Sequence, residues 1–82
     1  MSFQVIAHGV DGAVVQHFDA ARRGARMTTL LAKLTGKADL LQRRPGGQPI
    51  RLMTCHRAQT GAAKCTLTLA GQTLLRDKRR RR

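Results

Sequence analysis

Phe3-Gln4-Val5-Ile6-Ala7-His8-Gly9 and Pro49-Ile50-Arg51-Leu52-Met53-Thr54-Cys55 decide how this chain is read. Each is a short apolar run with the character of a strand. The first ends in a histidine followed by glycine, the second in a cysteine. Between them, Met27, Leu30, Leu31 and Leu34 fall at i, i+3, i+4 and i+7, the spacing of an amphipathic helix, with Gly36 as its stop. A strand, a helix and a second strand joined in this way predict an α/β fold built on a βαβ unit with parallel strands. Sites in open α/β sheets form outside the carboxyl ends of the strands. His8 and Cys55 would then emerge at one edge of the sheet, a base beside a nucleophile.

Working outward, Asp11-Gly12 is a turn signal, and Ala13 to Phe18 reads as the returning arm of a hairpin. Residues 19–26 are polar and read as a loop or the lead-in to the helix. Residues 38–44 read as one or two further helical turns. Arg44-Pro45-Gly46-Gly47-Gln48-Pro49 is a breaker. Residues 62–75 fit two descriptions. Ala63, Leu67, Ala70 and Leu74 share a helical face, while Cys65, Leu67 and Leu69 alternate with threonines as in a strand. The helical description is the favoured one.

Eighty-two residues bound the chain to one small domain, 1–75, followed by a basic tail, 76–82, with nothing to bury and an expected lack of order. Phe3 and Phe18 are the only aromatic residues, so the core must be aliphatic and thin. Such a core favours a homo-oligomer or a missing partner segment. Sixteen Lys and Arg stand against four Asp, for a net charge of +12. The tail holds six of the cations (Arg76, Lys78, Arg79, Arg80, Arg81 and Arg82) and one Asp, which leaves +7 on the remainder. This surplus favours anionic partners, nucleic acid first among them. No base-stacking aromatics, RNA-recognition signature or phosphate loop accompanies it.

The N-terminus lacks a basic segment followed by a long apolar one, so no secretory signal is read, and no run approaches the length of a membrane span. The default compartment is therefore the cytoplasm, with Cys55 and Cys65 expected as free thiols, although one disulfide could join them. Cys55, His56 and Cys65, with His8 or His17, could offer metal ligands. The Cys-His-x8-Cys spacing matches no usual zinc pattern, and neither metal nor cofactor is implied.

A strand ending His8-Gly9, an Asp11-Gly12 hairpin, a helical stretch, a Gly/Pro loop and a strand ending in Cys55 together resemble the catalytic half of caspase-like cysteine peptidases, as found in large bacterial secreted and toxin proteins. The resemblance covers about residues 3–75. It implies a three-layer α/β domain, here incomplete, that acts as a hydrolase on a protein or peptide substrate. His8 would be the general base and Cys55 the nucleophile, through a thioester acyl-enzyme. It also admits export as part of a larger toxin-type protein. The chain departs from the family at His56-Arg57-Ala58-Gln59, where a Gly is usual two residues after the Cys, and in lacking the flanking strands and any place for the basic tail. The alternative is a small basic nucleic-acid-binding protein that acts through its Arg-rich surface and tail.

Overall fold

The computed structural model describes residues 2–9 and 12–76. In chain order they form β1 (Ser2–Gly9), β2 (Gly12–Phe18), α1 (Ala21–Thr35), β3 (Lys37–Arg43), β4 (Ile50–Arg57), β5 (Ala63–Leu67) and α2 (Leu69–Arg76). The strands make one sheet in the order β2-β1-β3-β4-β5, and every neighbouring pair is antiparallel. The expected parallel βαβ unit is therefore absent among the described residues. Residues 38–44 read from sequence as helical turns, but Lys37–Arg43 form β3 and insert between β1 and β4. The two segments quoted above run in the same direction but do not touch.

Pairing to neighbours on both sides explains why β3 forms against its own composition. Lys, Ala and Asp are poor strand formers, and the adjacent Leu40-Leu41 blurs any alternation. Tertiary context decides instead. Ala38, Leu40 and Gln42 are buried on the helix side, with Leu40 fully so. A β-bulge at Leu40/Leu41 shifts the register against β4, so that Leu52 and Met53 both join the core.

Helix α1 lies on one face of the sheet, and its packing corrects a second expectation. The seam facing the strands is Gly24, Thr28 and Ala32, while Leu30 and Leu34 are 48% and 67% exposed. Small residues at i, i+4 and i+8 let the helix sit close to the sheet. A Cβ at Gly24 would come within 2.7 Å of Leu40 Cδ1. The buried Thr28 hydroxyl is satisfied by donating to the Gly24 carbonyl at 2.7 Å. The helix stops at Gly36, as read from sequence. Its φ of 111° suits glycine, and its N–H bonds to the Ala32 carbonyl.

The segment 62–75 resolves into both of its descriptions in turn, a strand to Leu67 and then a helix. Thr68 caps α2. Its Oγ accepts from the Gly71 N–H at 3.1 Å and donates to the Arg51 carbonyl at 2.7 Å. Gly71 is buried so tightly that a side chain there would overlap the Leu52 carbonyl. Leu75 of α2 lines a shallow hollow with Arg22, Ala25 and Arg26 of α1, which places both helices on one side of the sheet. The molecule is correspondingly a slab, 35 × 33 × 17 Å. The Asp11 half of the predicted turn and residues 77–82 of the predicted tail lie outside the described residues.

Candidate nucleic-acid interface

The sheet face opposite α1 is covered by neither helix. Cross-strand partners share a face, so the register lists its side chains in rows. One row runs Ala13, His8, Lys37, His56, Lys64. The next runs Val15, Ile6, Asp39, Thr54, Thr66, and the third runs His17, Gln4, Leu41, Arg51. Arg43 follows, its guanidinium donating to Gln4 Oε1 at 3.3 Å. All three histidines of the chain and four of its Lys and Arg therefore stand on one uncovered surface. The sole acid among them is Asp39.

Asp39 is 8% exposed. Its Oδ2 lies 3.3 Å from His8 Nε2, which must carry the hydrogen there because an ionised carboxylate only accepts. Its Oδ1 is buried and has no hydrogen-bond partner among the described residues. A buried oxygen left in that state costs the fold free energy.

The structure does not bring the two residues of the sequence-predicted dyad together. Cys55 is the register partner of Ala38 and belongs to the helix side, where it is fully buried. His8 points to the opposite face, and β3 separates the two strands, about 10 Å at ordinary strand spacing. Cys55 is also bonded to Cys65, its direct cross-strand partner, at 2.04 Å, so the expectation of free thiols is corrected as well. Thr29 Oγ1 of α1 lies 4.0 Å from Cys55 Sγ and 3.7 Å from Cys65 Sγ. A cysteine sulfur held in a disulfide has no thiolate form and cannot act as the nucleophile. Among the described residues no group of His, Cys, Asp or Glu could hold a metal ion, and no helix is long and apolar enough to cross a membrane.

No family model, curated protein or solved structure matches this chain.

Sequence reading overlooked the role of Lys37, Asp39, Thr54 and Lys64. Their one available signal was alternation with buried Ala38, Leu40 and Cys55, and it becomes legible only once β3 is known to be a strand. Arg57 has a different use. Its Nη1 donates to the Lys33 carbonyl at 3.0 Å, a cation at the C-terminal end of α1 where the helix dipole favours it.

Proposed function

We propose that this protein is a small nucleic-acid-binding module that lays the phosphate backbone of a single strand across the uncovered sheet face. The observation that carries this reading is the composition of that face. Lys37, Arg43, Arg51 and Lys64 surround a centre whose only carboxylate is buried against His8. Strands about 4.8 Å apart fix the anchor points of these side chains, and their flexible stems let the charges follow a phosphate backbone. Ile6, Val15 and Leu41 supply apolar contact between them. The Thr54 and Thr66 hydroxyls on the same face can bond to base edges, and an unpaired strand presents such edges freely whereas a duplex hides them. This favours single strands over duplexes. Without aromatic stacking platforms, the binding is modest in strength and tolerant of sequence.

The test is binding of single-stranded oligonucleotides as a function of salt. Four phosphate contacts give a log–log slope of about −3 for a single strand. Lys37→Glu with Lys64→Glu should reduce that slope by about half and weaken binding uniformly across sequences. Equal loss from Arg22→Glu with Arg23→Glu on α1, and none from the sheet pair, would remove the sheet face as the interface.

A further inference from the structure

Charge is distributed unevenly along this chain. Residues 1–21 contain no Lys or Arg and two Asp, while residues 22–82 contain all sixteen Lys and Arg and the other two Asp. The cation-free part includes β1 and β2, and β2 is the free edge of the sheet. Edge strands are ordinarily protected from self-pairing by a Lys, a Pro, a bulge or short length. Over its seven residues, Gly-Ala-Val-Val-Gln-His-Phe, β2 has none of these. The opposite edge, β5, is five residues long and carries Lys64.

Apolar side chains flank the β2 edge on both faces. Val14, opposite buried Ala7, is on the helix side and 48% exposed. Val15, opposite Ile6, is on the basic side and 46% exposed. Leu30 and Leu34, one helical turn apart on α1, are exposed as well. On the helical wheel Leu30 points almost directly away from the Gly24, Thr28 and Ala32 seam, and Leu34 leans from there toward the β2 side, away from Thr29, which faces the Cys55–Cys65 pair.

We infer that β2 pairs antiparallel with β2 of a second copy, making a twofold dimer with one continuous ten-stranded sheet. A second copy is the occupant that the charges select. Two chains of +12 repel each other at nearly every other approach, whereas β2 itself brings no Lys or Arg, and Arg23 on the nearby helical stripe lies 3.9 Å from Asp19. Register centred on Val15 places Val14 opposite Gln16 and Ala13 opposite His17. A twofold axis normal to the sheet keeps both copies of α1 on one side and joins the two basic faces on the other. The inference stands independently of what that face binds.

Sedimentation equilibrium of the full chain, from micromolar to near-millimolar concentration, tests it. The expected mass is twice 9.0 kDa. Val15→Lys sets two like charges opposite each other and should weaken the dimer on the order of tenfold. Leu34→Lys, at a surface position that folding does not need, should weaken it in the same direction, with an unchanged circular dichroism spectrum. Lys64→Val, which removes the guard on β5, should leave the dimer constant unaltered. A wild-type chain that stays monomeric throughout overturns the inference. So does a dimer indifferent to both Val15→Lys and Leu34→Lys.

Discussion

Cys65→Ser is the perturbation whose consequence can be worked out most fully. Cys65 is exposed and contributes little to the core, so the substitution removes the cross-link and almost nothing else. The bond closes a loop of sequence separation 10. The chain-entropy relation for a loop of that size gives about 2.7 kcal/mol of stability at 25 °C. For a domain of this length such a loss lowers Tm by about 10–20 °C. Thermal unfolding followed by circular dichroism, with and without reductant, reads it directly. The oxidised wild type should melt highest, while the reduced wild type and Cys65→Ser should coincide below it. Alkylation adds a check on site chemistry. Neither sulfur should react before reduction. Afterwards exposed Cys65 should react faster than buried Cys55, the reverse of what a catalytic Cys55 requires. A melting curve unmoved by reductant, or a Cys55 that alkylates first, would refute the reasoning.

Three further outcomes follow from the packing. Gly71→Ala should detach α2 from β4 and cost about 2–4 kcal/mol, because the new methyl has only the Leu52 carbonyl to displace; chemical denaturation measures it. Leu40→Ala should cost about 2–5 kcal/mol whereas Leu34→Ala should stay within about 0.5 kcal/mol in the same assay, and equal costs would place the core elsewhere. Asp39→Asn should raise the stability of the free protein by about 1 kcal/mol by removing a buried charge with an unpaired oxygen; a destabilised variant contradicts the cost assigned to that oxygen.

How much of this was legible before the fold was known differs by segment. The strands at Phe3 and Ile50, the hairpin returning through Val14 and Val15, and the stop at Gly36 all rest on local chemistry, on β-branched runs and glycine torsions, and the sequence carries that openly. Residues 37–43 are the opposite case. Their strand exists because β1 and β4 supply hydrogen bonds on both sides and α1 covers Ala38 and Leu40, none of which is encoded within the segment. That single omission turned an antiparallel sheet into an apparent βαβ unit. The helix misled in a related way. Leu30 and Leu34 carry the conspicuous periodicity, but the sheet accepts the small seam of Gly24, Thr28 and Ala32. The basic composition was plain, whereas its sorting onto one sheet face depends on the register of all five strands.

The central claim is that nucleic acid meets the uncovered sheet face, and one measurement addresses it most directly. The chain has three histidines, His8, His17 and His56, all on that face, so their ring protons report it without any substitution. A proton NMR titration of the full chain with a short single-stranded oligonucleotide at low salt should shift all three ring signals, together with the amides of Lys37, Thr54 and Lys64. The amides of Arg22, Arg23, Arg26 and Lys33 on α1 should move little. Ring signals that stay fixed while the α1 amides shift would contradict the account.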